Sequence, residues 1–220
     1  MIDALQLLAR GVTELLDPPI VQLGPPRTGS TLVWNALRAI FPSRIILKRH
    51  ALTPVRASIL ARSRLVCTVR HPLDALASSI LRSDAPVTAE QFERHVADLE
   101  LPLRQILALQ GRPRARVLRY ERFVGDLDGL LDELAAFFAV PLDDAGRCRA
   151  RQRCDIEAAE RLAQDLGSFS RVDPDTQIHG RHISAYRGAS GYYGEVLSTA
   201  QLAIATRRLG RIAEAFGYRQ

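Results

Sequence analysis

Apolar residues occur along the chain in two kinds of segment, short continuous runs and longer stretches with a helical period. The short runs, rich in Ile, Leu and Val, predict β-strands at 20–23, 44–47, 65–69 and 115–120. The longer stretches predict helices at about 2–16, 32–40, 72–82, 88–110, 127–138, 143–165 and 198–216. Because strands and helices alternate, we expect a three-layer α/β/α fold around a central, mostly parallel sheet.

Residues at the segment ends support these boundaries. The residue before a proline avoids the helical conformation, so Pro18 ends the first helix. Ser198 and Gln201 form a capping-box pattern at the start of the last helix, and Gly217 follows its end. The stretch 166–197 has no period and is long for a connection, which makes it a candidate functional loop.

The composition indicates one ordinary globular domain, residues 1–220, with 47% hydrophobic and 25% charged residues. No stretch reaches the roughly 18 apolar residues of a membrane span, and the first residues lack the basic segment of a signal peptide. Cys67, Cys148 and Cys154 form no CxxC pair, which fits a reducing compartment. We therefore expect a cytoplasmic protein.

The charge of the chain favours an anionic partner. There are 30 Lys and Arg residues against 24 Asp and Glu, a formal net charge of +6. The basic residues are scattered along the chain, and only 6% of residues are aromatic, so the stacking surfaces of a single-strand binder are sparse. We expect neither a nucleic acid nor a membrane as partner.

The first candidate anion site is the segment GPPRTGST at 24–31, which follows the first predicted strand. It has the frame of a P-loop, GxxxxGK[ST], but Ser30 stands where the lysine belongs. That lysine reaches the β- and γ-phosphates of a nucleoside triphosphate, so its loss argues against ordinary ATP or GTP chemistry. Backbone N–H groups, the hydroxyls of Thr28, Ser30 and Thr31, and the charge of Arg27 can still hold an anion. The alternative interpretation is a simple strand-to-helix turn.

The second candidate anion site follows the third predicted strand. Arg70 stands at the end of that strand, Pro72 in the first turn of the next helix, and Ser78 about two helical turns beyond Arg70. This spacing allows Arg70 and Ser78 to share one anion.

Together these two segments resemble the sulfotransferases that use 3′-phosphoadenosine-5′-phosphosulfate (PAPS). In that family a PRxGTT-like loop holds the 5′-phosphosulfate, and an Arg-x-Pro-x-Asp-x-x-x-Ser segment holds the 3′-phosphate. The resemblance implies a P-loop NTPase-like topology, sulfuryl transfer to a hydroxyl or amine, and 3′,5′-adenosine bisphosphate (PAP) as product. It assigns the donor to Arg27, Thr28, Gly29, Ser30, Thr31, Arg70 and Ser78.

Three further stretches resemble the same family, so the likeness runs from about 20 to 217. Leu118-Arg119-Tyr120-Glu121 is similar to its Tyr-Glu segment, and Arg187-Gly188-Ala189-Ser190-Gly191 to its Lys-Gly-x-x-Gly loop, which adds Tyr120, Arg187 and Gly188 to the donor site. Two departures occur here. Tyr186 stands in place of the usual Arg, and Leu32 stands where an aromatic residue often stacks on adenine, with Trp34 two residues on.

The third stretch, Leu47-Lys48-Arg49-His50, resembles the family's Lys-x-His and implies the catalytic groups. His50 becomes the candidate base, because imidazole accepts a proton near neutral pH. Lys48 and Arg27 would neutralise the bridging and sulfuryl oxygens as the bond breaks. A carboxylate remains the alternative base, from among Asp84, Glu90, Glu93 and Asp98. His179 and His182 are candidates for the acceptor pocket, and no His or Cys spacing predicts a metal site.

Two other functions stay open. A P-loop kinase-like phosphotransferase would need Mg²⁺ and a carboxylate at a strand end, whereas the predicted strands end in Arg or Lys. A non-catalytic nucleotide-binding module would be favoured if His50 pointed away from the donor. The acceptor is open between a small molecule or natural product and a carrier-bound group, and between O- and N-sulfation. No dimerisation motif predicts an oligomeric state.

Overall fold

Four parallel strands form the centre of the computed structural model, which describes residues 18–52, 57–83, 86–184 and 186–218. The strands are β1 (Ile20–Leu23), β2 (Ile46–Arg49), β3 (Arg64–Val69) and β4 (Ala115–Arg119), in the order β2-β1-β3-β4. This arrangement confirms the predicted parallel sheet, although β2 begins two residues later than predicted. Leu23 is in register with Arg49 and Cys67, so the carboxyl ends of three strands meet at one edge.

Helices connect the strands and continue the chain beyond them. They are α1 (Ser30–Ile40), α2 (Ala57–Arg62), α3 (Pro72–Ile80), α4 (Ala89–Leu107), α5 (Tyr120–Phe123), α6 (Leu127–Phe138), α7 (Asp144–Arg153), α8 (Ile156–Leu166), α9 (Tyr193–Val196) and α10 (Thr199–Ala215). The prediction of one helix at 143–165 was wrong, because the Asp155 side chain accepts from the Ala158 N–H and begins a second helix. The predicted helix at 2–16 lies outside the described residues.

Each face of the sheet has its own apolar core, which makes the fold three-layered. On one face, Val21 and Cys67 pack with buried residues of α3, α4 and α10 such as Leu76, Leu103 and Leu209. On the other face, Ile20, Val66 and Leu118 pack with buried residues of α1 and α6 such as Leu37 and Leu134. Strand residues of successive positions point to opposite faces, so all of β1 is buried.

The long connection 167–192 folds back over the carboxyl edge of the sheet. The His182 carbonyl accepts a hydrogen bond from the Arg27 side chain at 2.8 Å, and the Gly188 carbonyl accepts one from the Tyr120 hydroxyl at 2.9 Å. Asp74 of α3 accepts from the Gly191 N–H at 2.9 Å. These three contacts fasten the connection above the strand ends, where ligands bind in parallel sheets.

Candidate functional site

The loop between β1 and α1 is held in one conformation by its own side chains and by β3. The Thr28 hydroxyl lies 2.8 Å from the Pro25 carbonyl and 2.9 Å from the Thr68 hydroxyl. Gly29 precedes α1 with φ of 76° and supplies no side-chain acceptor to the helix. The N–H groups of the first turn, which begins at Ser30 and Thr31, are therefore available to an anion.

Gly29 is required at this place by both backbone conformation and space. A Cβ atom there would lie 2.8 Å from Tyr120 and 2.9 Å from Phe123. We expect Gly29→Ala to cost about 1–3 kcal/mol of unfolding free energy and to weaken anion binding at the loop. Gly111→Ala is the matched control, because Gly111 has a similar φ of 75° with no atom within 4 Å of the added Cβ. Thermal unfolding measures both variants, and equal losses would contradict the steric argument.

Arg70 and Ser78 meet Arg27 at one point, so the structure brings the two predicted anion segments together. Arg27 Nε donates to the Ser78 hydroxyl at 2.8 Å, and Arg70 Nη1 donates to the Arg27 carbonyl at 3.4 Å. Arg70 is only 3% exposed, donates through Nη2 to the Ala189 carbonyl, and lies 4.4 Å from the centre of the Tyr120 ring. Its Nε atom is buried and has no hydrogen-bond partner.

The charges of Arg27 and Arg70 are not balanced by any described residue, because neither guanidinium has a carboxylate of the described ranges at ion-pair distance. Burial, together with the nearby charges of Arg82 and Arg70, lowers the pKa of Arg27 to about 10. A cation withdrawn from water without a counterion is costly, so this arrangement is complementary to an anionic ligand.

The Arg187-Gly188 loop contributes its backbone more than its charge. Arg187 Nε pairs with Glu160 of α8 at 2.8 Å, so its charge is already balanced. Gly188 lies against Tyr120, which opens α5 and does not end the strand as predicted. Tyr186 stacks on Tyr192 with ring centres 4.1 Å apart. The Arg187-Gly188 part of the predicted donor site therefore offers less unpaired charge than the loop with Arg27 or the segment with Arg70.

Lys48 and His50 stand at and beyond the end of β2, beside the loop. Lys48 Nζ donates to the Thr31 hydroxyl at 2.6 Å, and burial lowers the pKa of this amine to about 8. His50 Nδ1 lies 2.8 Å from the Gly24 carbonyl. A carbonyl only accepts, so Nδ1 carries the hydrogen and the neutral ring leaves its Nε2 lone pair free.

The surroundings of His50 keep its ring neutral. The protein atoms packed around the ring lower its pKa below the ordinary value, and the charges of Lys48 and Arg82 lower it further. The hydrogen bond to the Gly24 carbonyl acts in the opposite direction and is the smaller effect. A neutral imidazole with a free Nε2 is the form that accepts a proton.

A pocket of about 360 Å³ opens at Arg27, Arg70 and the first turn of α1. Lys48 and His50 are not among its lining residues, although Lys48 donates to Thr31, which is. One end is polar, with Arg27, Ser30, Thr31, Arg70 and Ser78. The other end is largely apolar, with Leu32, Phe123, Val124, Leu127 and Ile156, and also contains the charged residues Arg153 and Asp155 beside Ile156. Sequence reasoning missed Ile156, because the break between α7 and α8 brings it to the pocket. Trp34 does not line this pocket and lies beside the Ile46 carbonyl.

The remaining histidine and carboxylate candidates fall in different places. His182 lines the same pocket, and burial together with His179 lowers its pKa to about 2. Glu90 and Glu93 form ion pairs with Arg94 and Arg208, whereas Asp98 lines a separate cavity. Asp84 lies outside the described residues.

No group of three or more His, Cys, Asp or Glu side chains among the described residues could hold a metal ion. No described helix is long and apolar enough to cross a membrane.

Comparison with known proteins finds similarity in three dimensions and none in sequence. No family model and no curated sequence matches the chain. The crystal structure of mouse sulfotransferase SULT7A1 complexed with PAP matches with a TM-score of 0.65 and 14% identity, over 95% of this chain and 93% of the other. Retinol dehydratase in complex with androsterone and inactive cofactor PAP matches with a TM-score of 0.61 and 14% identity, over 93% and 83%.

A domain from a multidomain enzyme matches as well. The sulfotransferase domain from the Synechococcus PCC 7002 olefin synthase has a TM-score of 0.53 and 18% identity, over 93% of this chain and 96% of that domain. These matches span nearly the whole of both chains and agree with the parallel sheet and its two flanking layers. This chain therefore has the three-layer α/β/α fold of the sulfotransferases.

Proposed function

We propose that this protein transfers the sulfuryl group of PAPS to a hydroxyl or amine of an acceptor. One observation carries the proposal: Arg27 and Arg70, both without a carboxylate partner in the described chain, converge with Ser78 and the first turn of α1 at the polar end of one pocket. A nucleotide with two separate phosphate groups matches a pocket that is cationic at one end and apolar at the other. The likeness to sulfotransferases solved with PAP supports the same donor.

The residues of the pocket fit the donor in two parts. Arg70 and Ser78 are proposed to hold the 3′-phosphate, for which the unpartnered Nε of Arg70 provides a donor. The first turn of α1, with the hydroxyls of Ser30 and Thr31, is proposed to hold the 5′-phosphosulfate. Arg27 lies between the two parts through its bond to Ser78. Leu32 and the apolar wall are then left for the adenine.

His50 and Lys48 are proposed to carry the transfer itself. His50 Nε2 takes the acceptor proton while the acceptor oxygen or nitrogen forms the new bond to sulfur. The bond between sulfur and the bridging oxygen breaks, and PAP leaves with that electron pair. Lys48 and Arg27 stabilise the negative charge that develops on the departing oxygens, and both are partly buried, where such stabilisation is strongest.

A kinase-like phosphotransferase is not favoured by the strand ends. Strands β2 and β4 end in Arg49 and Arg119, and β1 and β3 are followed by Gly24 and Arg70. No described strand end therefore supplies a carboxylate for Mg²⁺. Glu121, two residues beyond the end of β4, accepts from the His71 N–H and from the Tyr218 hydroxyl, each at 2.8 Å. That carboxylate is therefore already engaged in structural hydrogen bonds.

Nucleotide titration calorimetry tests the proposed function. We expect PAP to bind about 30-fold or more tightly than 5′-AMP, because only PAP offers a second phosphate to Arg70 and Ser78. ATP with Mg²⁺ is the competing ligand, and tighter binding of ATP with Mg²⁺ than of PAP would replace the sulfotransferase by the phosphotransferase. Turnover of PAPS labelled with ³⁵S, with hydroxyl and amine acceptors, separates an enzyme from a module that only binds.

A further inference from the structure

A second cavity, of about 660 Å³, adjoins the pocket lined by Arg27 and Arg70, which we call the donor pocket. Three pairs of consecutive residues lie between the two spaces: Pro26 and Arg27, Ser79 and Ser78, Arg181 and His182. In each pair the first residue named lines the second cavity and the other lines the donor pocket. The Arg27 side chain joins the three pairs through its hydrogen bonds to Ser78 and to the His182 carbonyl, so the two cavities are neighbours at Arg27.

Arg82 and Arg181 both line this second cavity, and Arg82 packs on an aromatic ring. It follows α3, and its guanidinium lies 3.9 Å from the centre of the Phe169 ring. Its Nε atom is buried with no hydrogen-bond partner, and no carboxylate of the described chain lies at ion-pair distance from it. Burial lowers the pKa of Arg82 to about 10, so the group remains charged at neutral pH.

The groups that Arg82 influences are cationic or neutral. Its charge lowers the pKa values of Arg27, His50 and His95. Asp98, the one carboxylate among the described lining residues, acts instead on His95, whose pKa it raises. The cavity therefore holds the Arg82 guanidinium, which packs on an aromatic face and has no carboxylate of the described residues, Asp98 included, at ion-pair distance.

We propose that the second cavity binds the acceptor, and that the acceptor carries an oxyanion, a carboxylate or a phosphate, that pairs with Arg82. This inference rests on the proposed function and narrows its substrate class. A guanidinium offers paired N–H donors that match both oxyanions, and packing on Phe169 leaves that edge free. The Arg27 side chain, which is proposed to stabilise the sulfuryl oxygens, joins the segments that line both cavities, so an acceptor anchored at Arg82 lies next to the donor.

Matched probes test the anion without requiring a known acceptor. Protein saturated with PAP is titrated with 4-hydroxyphenylacetate, with 4-hydroxyphenylacetamide, and with 4-hydroxybenzylphosphonate. We expect the acid to bind about 10-fold more tightly than the amide, because a charge-assisted pair replaces a neutral one. Comparison of the carboxylate with the phosphonate shows which oxyanion the cavity prefers. Tighter binding of either one than of the amide supports the inference.

Arg82→Gln is the decisive variant and Arg161→Gln its control, because Arg161 is an exposed arginine of α8 paired with Glu157. In Arg82→Gln the acid and the amide should bind about equally, whereas Arg161→Gln should keep the preference for the acid. Equal binding of acid and amide, an unchanged preference in Arg82→Gln, or no binding of either oxyanion at 10 mM would overturn the inference.

The affinity for PAP shows whether a negative result overturns only the inference about the acceptor or the proposed function as well. Arg82→Gln should bind PAP as the unaltered protein does. If the unaltered protein does not bind PAP, the proposed donor is wrong, and the same probes are then titrated without PAP to test the oxyanion at Arg82 by itself.

Discussion

Replacing Arg70 by glutamine is expected to weaken PAP binding by about 30-fold or more while changing the affinity for 5′-AMP by no more than about threefold. Arg70 is 3% exposed, and its buried Nε has no partner, so the proposed 3′-phosphate would supply the missing anion. Loss of one partner of a buried charge pair costs about 2 kcal/mol or more, which is the source of the 30-fold figure.

The ratio of the two affinities is the measurement that isolates Arg70. PAP and 5′-AMP differ only by the 3′-phosphate, so a general loss of folded protein changes both affinities alike. Arg116→Gln serves as control, because Arg116 is an exposed arginine paired with Glu133 at 2.6 Å. Equal weakening of PAP and 5′-AMP in Arg70→Gln would show that Arg70 does not hold the 3′-phosphate.

Thermal unfolding gives an independent readout of the same variant. A ligand that binds only the folded state raises its stability in proportion to RT ln(1 + [L]/Kd). We therefore expect PAP to stabilise the unaltered protein and the Arg116→Gln control, and to stabilise Arg70→Gln much less at the same concentration.

Replacing His50 by asparagine is expected to lower kcat by about 10²- to 10⁴-fold while leaving the Kd for PAP unchanged. The asparagine amide can still donate to the Gly24 carbonyl, as His50 Nδ1 does at 2.8 Å, so the loop keeps its support. What the variant loses is the Nε2 lone pair. A loss of PAP affinity that matches the loss of kcat would assign His50 a structural role.

The pH profile separates loss of a base from loss of positioning. The surroundings of His50 hold its pKa below the ordinary value, so the neutral ring expected at neutral pH can accept a proton. Activity of the unaltered protein should fall only as the pH drops through this lowered pKa, because protonation occupies Nε2. His50→Asn should lack that acidic limb. If Asp98→Asn removes the limb and His50→Asn retains it, the carboxylate is the base.

Local order along the chain was enough to predict the sheet and the two anion segments. Short apolar runs alternate with periodic stretches, and this alternation dictates parallel strands whose carboxyl ends align. The spacing from Arg70 to Ser78 is about two helical turns, so a helix beginning at Pro72 directs both residues toward one edge of the sheet. Neither inference depends on contacts between distant parts of the chain.

The boundary between α7 and α8, which lies within a continuous polar stretch, could be located only in the folded structure. The sequence 143–165 has helical character throughout, and the break at Asp155 arises because its side chain caps a new helix. The break matters for the site, since it turns Ile156 toward the apolar end of the donor pocket.

The sequence by itself therefore determined the fold class and the two anion segments, because both follow from local period and spacing, while the other candidate site residues came from the resemblance to a known family. Only the tertiary structure decided which arginines are balanced. Arg187 is paired with Glu160, which lies 27 residues away, whereas Arg27, Arg70 and Arg82 have no carboxylate partner in the described chain. The physical reason is that an ion pair depends on which helix packs beside which loop, and spacing along the chain does not specify that packing.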